Sequence, residues 1–147
     1  MSEYVPDTNL LIRLSVPADP QNALVSNALK TLRQTGDEII LLPQCLYEFY
    51  TVATRPTTAR GGLGFTIAEA DAEIDKYRRL YRMRPDTAAI FDVWHSLVVS
   101  YGVSGVAAHD ARLVAAMQVH GIANLLTFNA ADFARYTHIT VLHPQNI

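Results

Sequence analysis

Cysteine occurs once in the 147 residues, at Cys45, so an internal disulfide framework and a cysteine-based zinc cluster are both excluded. Long apolar runs are also missing. None approaches the roughly 18 residues that a membrane-crossing helix needs, so no membrane association is expected. The opening, MSEYVPDTN, has neither a basic start nor an apolar core, which leaves no expectation of a secretion signal. A reducing cytoplasm is the expected compartment. Net positive charge is absent too: the formal value is −2, so the chain is not coated in positive potential. Nucleic acid remains a possible partner, because binding depends on local patches rather than on the sum. Only two of the twelve basic residues are lysines; the ten arginines are the type suited to bidentate phosphate contacts. Four of them crowd into Arg78, Arg79, Arg82 and Arg84, which reads either as a solvated helix end or as a phosphate-binding rim.

Half of the residues are apolar and 18% are charged, a composition that suits a well-buried fold of one domain spanning 1–147. Short β-type runs alternate with helical stretches from end to end. A brief strand is expected over 4–6, closed by Pro6, which cannot donate to a ladder. Asp7, Thr8 and Asn9 are helix-capping types ahead of LLIRL. Apolar spacing predicts a helix over 22–32, closed by Gly36, and a buried strand over 39–42. Pro43 starts a helix to about Thr54. The segment RPTTARGGLG reads as irregular, and Thr66 with Glu69 forms a capping-box pair opening a helix toward Leu80. A weak strand is expected over 81–83, then a helix capped by Asp86 and ending at Gly102. The helix expected over 109–121 is apolar on nearly every side through LVAAM, so it should be buried. A strand over 125–127, a helical turn over 130–136 and a last strand over 140–142 complete the chain. Strands separated by helices imply parallel crossovers, hence an α/β protein: a three-layer α/β/α sandwich with a short parallel sheet.

In an open parallel sheet, function gathers beyond the carboxyl ends of the strands. Asp7 follows the first strand, Asn129 and Asp132 follow the strand over 125–127, and Glu48 lies one turn into the helix after the strand over 39–42. Asp110 lies in the first turn of a helix that feeds a strand. It joins the others only if the Gly102–Gly105 loop carries that helix start back over the same sheet end. Each residue also has an ordinary explanation. Asp7 can simply cap a helix, Glu48 shares a solvent-type stripe with Gln44, Thr51 and Arg55, and Asp110 can stabilise a helix dipole. Asn129 and Asp132 resemble turn residues. Yet these acids sit among apolar neighbours. Carboxylates gathered in such surroundings repel one another and lose hydration, so they need a counter-charge. A hard divalent cation such as Mg²⁺ or Mn²⁺ supplies one. Arg112 is the nearest alternative partner for Asp110.

The order of these elements resembles the PIN-domain nucleases, particularly the VapC-like toxins of bacterial toxin–antitoxin pairs. VPDTNLLIRL resembles the first element of that family and puts its metal-binding acid at Asp7. PQCLYEFYTVATRP resembles the second, with its acid at Glu48, and AAHDARLVAAMQVHGI the third, with its acid at Asp110. LLTFNAADF matches the last element in shape, although Asn129 stands where the family often has aspartate; Asp132 is near enough to supply charge. The resemblance implies a PIN domain and metal-dependent endonucleolytic hydrolysis of RNA. Asp7 and Asp110 would then be direct ligands of Mg²⁺ or Mn²⁺, Glu48 a ligand directly or through water, and Asn129 or Asp132 would complete the site. It also implies an RNA substrate, a homodimer and a cognate antitoxin that blocks the acidic cleft.

Other residues are secondary candidates. Thr8, Arg55, Arg60 and Arg112 are candidate contacts to the RNA backbone, with capping, loop and ion-pair roles as their alternatives. His109 adjoins Asp110; Cys45 reads as a small buried apolar group, and Trp94, Tyr47 and Tyr50 as core or dimer surface. Two other functions compete. One is a non-catalytic PIN-like module that binds RNA or protein. The other is a phosphohydrolase of the haloacid-dehalogenase type, which would want aspartate where Asn9 stands.

Overall fold

The computed structural model describes residues 1–147. The strands are β1 (Glu3–Pro6), β2 (Glu38–Leu41), β3 (Arg82–Met83), β4 (Asn124–Leu126) and β5 (Thr140–Leu142). Between them run the helices α1 (Thr8–Leu14), α2 (Asn22–Gln34), α3 (Pro43–Thr54), α4 (Ile67–Leu80), α5 (Ala89–Ser100) and α6 (Ala107–Val119). A 3-10 turn at Ala130–Phe133 leads toward β5. Every strand pairing is parallel, in the order β3-β2-β1-β4-β5. The first strand in sequence is therefore central in space. The chain builds outward from β1 on one side and then returns to build on the other. The crevice between β1 and β4 is thus the point where strand order reverses, the position at which open α/β sheets bind ligands.

The sheet is apolar on both faces, which is what makes the fold three-layered. Ile40 and Leu125 belong to the larger buried cluster with residues of α3, α5 and α6, whereas their chain neighbours Ile39 and Leu126 point into a smaller cluster against α2. In α1, Leu10 faces the smaller cluster and Leu11 the larger. The LVAAM segment of α6 is buried throughout, as its composition predicts. Helix α3 begins with proline at its first turn, where a missing N–H costs nothing. Thr66 and Glu69 make both halves of the capping box that opens α4. The buried ring of Phe49 in α3 meets Tyr77 of α4 edge-on at 5.7 Å. The Tyr77 hydroxyl in turn reaches Ser15 and the Leu11 carbonyl, fastening α4 to the end of α1.

Boundaries agree with the sequence expectations or shift by at most three residues, mostly by the one or two over which helix and strand ends fray. One expectation fails in kind. Asp86 does not cap the following helix: α5 starts at Ala89, its cap residue Ala88 makes no side-chain bond, and Asp86 pairs with Arg112 at 3.2 Å. An aspartate ahead of a helix serves as cap or as ion-pair partner, and here a guanidinium from α6 claims it. No helix is long and apolar enough to cross a membrane.

Phe49 fills core, while Tyr47 on the same helix is 64% exposed. Phe49→Ala should therefore lower stability by about 3–5 kcal/mol. Tyr47→Ala should stay within roughly 0.5 kcal/mol of the parent. Urea midpoints with an unchanged slope are the measurement; comparable losses from both would mean that α3 presents a different face to the core.

Candidate active site

Asp7 is fixed by the sheet before it is fixed by anything else. Pro6 pairs with Leu126 at the end of the β1–β4 ladder, and the Asp7 N–H donates to the Leu126 carbonyl at 2.8 Å. The next residue starts α1, so Asp7 becomes the helix cap: its Oδ1 accepts from the Thr8 N–H at 2.8 Å. Its Oδ2 accepts from the Thr127 hydroxyl, also at 2.8 Å. Thr127 is fully buried just past β4, and its oxygen also accepts from the Asn129 N–H at 3.0 Å and from Asn9 Nδ2 at 3.3 Å. The Asn9 Oδ1 in the same network is buried without a donor.

The other acids arrive on separate elements. Glu48 projects from α3, accepting from Gln44 Nε2 at 2.8 Å and from the Thr8 hydroxyl at 3.4 Å. Gly102 and Gly105 adopt positive φ of 62° and 66°, which residues with a Cβ rarely tolerate. The turn they make brings the start of α6 back over the sheet end, where Asp110 lies in the first turn. Asp132 comes from the 3-10 turn after β4. Glu48, Asp110 and Asp132 line one cavity of about 530 Å³ together with His109 and Arg135.

The charges feel one another. Burial, and then the negative charges of Asp7, Asp132 and Glu48, push the Asp110 carboxyl up from the usual 3.8 to about 6; the neighbouring His109 opposes this. Burial also raises Asp7, although the bonds from Thr127 and Thr8 counter it, and Glu48 and Asp132 add to the rise. Cys45 is buried beneath the same acids, and desolvation pushes its thiol well above the usual range, so it acts as an inert apolar group.

None of these acids has an ion-pair partner. The five ion pairs are Arg13–Asp19, Lys76–Glu73, Arg82–Glu38, Arg84–Glu3 and Arg112–Asp86. Arg112 is instead held by Asp86 and the side-chain Oε1 of Gln44. The donor set is all hard oxygen, the chemistry that suits Mg²⁺ or Mn²⁺. Still, no three acidic, histidine or thiol side chains are gathered as a ready-made cation cage. Asp7 and Glu48 are instead turned to protein donors.

The remaining sequence candidates lie as follows. Asn129 contributes its backbone N–H to Thr127, and it is Asp132 rather than Asn129 that lines the cavity. Thr8 is buried and bridges toward Glu48. Arg55 donates to the Arg60 carbonyl at 2.7 Å within the 55–64 loop, and neither arginine lines the acid cavity. Two residues of the site were not singled out in the sequence. Thr127 looked like an ordinary strand end, though a hydroxyl there, level with an aspartate ending the neighbouring strand, was a usable signal. Arg135 carried no signal of its own.

Because the folded Asp110 carboxyl holds its proton more tightly than an unfolded one, its contribution to stability is full below pH 3.8 and is lost as pH rises through about 6. Water screens this half-exposed group, limiting the effect to roughly 1 kcal/mol. In chelator-treated buffer, the melting temperature of Asp110→Asn minus that of the parent should grow between pH 4 and pH 7 by about 2–4 °C. A difference that stays flat across that range would show the carboxyl titrating as it does in water.

No family model matches the sequence, and no curated protein matches it either. Solved structures do match in shape. The VapBC2 complex of Rickettsia felis, bound to a DNA fragment from its promoter, contains a chain that superposes with a TM-score of 0.68 at 13% identity, covering 96% of this chain and 98% of that one. VapC20 of Mycobacterium tuberculosis, a sarcin–ricin loop cleaving toxin, gives 0.64 at 21% identity, with 92% and 95% covered. A chain of FitAcB from Neisseria gonorrhoeae gives 0.66 at 16% identity, with 98% and 99% covered. At such identities the likeness is one of fold, and it spans nearly the full length of both chains. The five-stranded parallel sheet with its six helices is the PIN-type fold of the VapC and FitB toxins.

Proposed function

We propose that this chain is a metal-dependent endoribonuclease and the toxin of a toxin–antitoxin pair. The observation that carries the reading is the meeting of Asp7, Glu48, Asp110 and Asp132 at the strand-reversal crevice, within each other's field and without an ion pair among them. The similar folds include a toxin that cleaves the sarcin–ricin loop, which supports RNA as the substrate.

Asp7, Glu48, Asp110 and Asp132 would hold Mg²⁺ or Mn²⁺, whose bound charge supplies Lewis acidity toward a phosphodiester and lowers the pKa of water. Around it the chain's own groups orient and exclude. Thr127 and the Thr8 N–H hold both oxygens of Asp7, so that carboxylate is preorganised at no cost in side-chain freedom during the reaction. Thr8 and Gln44 restrain Glu48. Arg135, on the cavity wall and outside every ion pair, engages a phosphate of the RNA strand, and His109 lines the same mouth. Arg112, already claimed by Asp86, acts on the site's architecture rather than on RNA.

The similar structures include VapBC and FitAB complexes and a toxin–antitoxin complex from Klebsiella pneumoniae, which supports a cognate antitoxin as partner. A basic or aromatic antitoxin segment would neutralise the acidic mouth, and a second copy of the chain is the other expected partner. A second reading, a non-catalytic PIN-like module that binds RNA or protein, is favoured by one observation: no three carboxylates are gathered as a preformed cage.

Purified protein with Mg²⁺ or Mn²⁺ should cut structured RNA, including a sarcin–ricin stem-loop. Asp7→Asn and Asp110→Asn should each reduce cutting by roughly a hundredfold or more, the scale of losing metal-derived charge stabilisation. Equal cutting by parent and variants would expose a contaminant. Stoichiometric RNA binding without cleavage would establish the second reading.

A further inference from the structure

We propose that Gln44 is a positioning residue, setting the direction of the Glu48 carboxylate and tying α3 to the α6 turn that carries Asp110. The inference rests on the metal-site reading above and deepens it. Gln44 is one of few buried polar side chains, 7% exposed, at the second position of α3. All three parts of its amide are engaged, each with a different partner. One Nε2 hydrogen goes to Glu48 Oε1 at 2.8 Å and the other to the His109 carbonyl at 2.7 Å. The Oε1 accepts from Arg112 Nη1 at 3.0 Å.

The partners themselves fix which end of the amide is which. A carboxylate and a peptide carbonyl only accept, and a guanidinium only donates. Turning the amide over would set an oxygen against two acceptors and an NH₂ against a cation, so the assignment follows from chemistry. Arg112 is held in turn by Asp86, so the chain of contacts runs Asp86, Arg112, Gln44, Glu48. Glu48 is itself exposed and would otherwise sample several rotamers. Its restraints are this amide, four residues earlier on the same helix face, and the longer contact from Thr8. The second Nε2 hydrogen lands on the residue just before Asp110. One side chain therefore ties Glu48 on α3 to the first turn of α6 beside Asp110, as Thr8 ties Glu48 to Asp7. Ligand carboxylates depend on such outer partners for their orientation.

The test is a double-mutant cycle read by calorimetric titration of Mn²⁺ alone into the full chain, with thermal melting as the control for folding. Gln44→Met keeps the length of the side chain and removes its hydrogen bonds. It should weaken Mn²⁺ binding about tenfold in the parent, and less than twofold in a Glu48→Gln background, because the residue acts through Glu48. RNA cleavage at saturating Mn²⁺ should show little change in KM. If Gln44→Met does not fold, Gln44→Asn carries the same cycle, since it keeps a buried amide but withdraws it from Glu48 by a methylene. Additive effects in the cycle, or Mn²⁺ binding that needs Glu48 and ignores Gln44, would overturn the inference and leave the metal site standing. A parent chain that binds no Mn²⁺ would overturn both.

Discussion

The parallel register of β1 against β4 is the constraint from which the site follows. Val5 lies opposite Leu125 and Pro6 opposite Leu126, all four fully or nearly fully buried. Slipping this pairing by one residue would turn Leu125 and Leu126 to the wrong layers, so packing on both faces pins it. Once pinned, the strands end level with each other, and the first residues beyond them, Asp7 and Thr127, are neighbours by necessity. The helix that starts after Asp7 and the turn that starts after Thr127 then diverge. The crevice this leaves is the one into which α3 and α6 deliver Glu48 and Asp110.

Delivering acids to a crevice is unfavourable, and the structure shows how the strain is distributed. Asp7, the most buried of the four, receives two hydrogen bonds that lower its pKa against the desolvation that raises it. Asp110 has no such bonds and takes the largest rise. Meanwhile Arg112, two residues after Asp110 in the chain, is committed to Asp86, and Arg135 lines the cavity without an ion pair to any of the acids. The acids are left without an ion pair, and a strongly shifted carboxyl in a cleft marks a candidate functional site.

How much of this was legible beforehand depended on whether the cause was local. The capping box at Thr66, the proline that opens α3 and the all-apolar face of α6 are local effects, and the sequence carried them directly. Asp7, Glu48 and Asp110 were legible as candidates because strand ends and helix starts bracket them. Their convergence was not, since it depends on two glycines at positive φ and on β1 taking the centre of the sheet. Residues whose roles are set by distant partners were misread or passed over. Asp86 looked like a cap until Arg112 reached it from α6. Gln44 looked like a member of a solvent stripe, because nothing in its neighbours in sequence says that three groups enclose it. Arg135 shares its cavity with Asp132 through the fold, and no spacing rule links it to Glu48 or Asp110.

The charge distribution raises a problem that any account of RNA binding must answer. A chain of net charge −2 whose crevice is lined by carboxylates repels a polyanion where contact is needed most. Half of the ten arginines do not relieve this: Arg13, Arg82, Arg84 and Arg112 are paired with acids, and Arg33 lies over the Tyr81 ring. Only Arg135 and His109 offer positive character on the cavity wall itself. Divalent charge held by the acids would reverse the sign of the field at the mouth, so the same ions that assist the chemistry would also admit the strand. A basic antitoxin segment would meet that need by the same means. Cation and antitoxin would then compete for one set of carboxylates, a linkage that follows from the acids having no ion-pair partner within the fold.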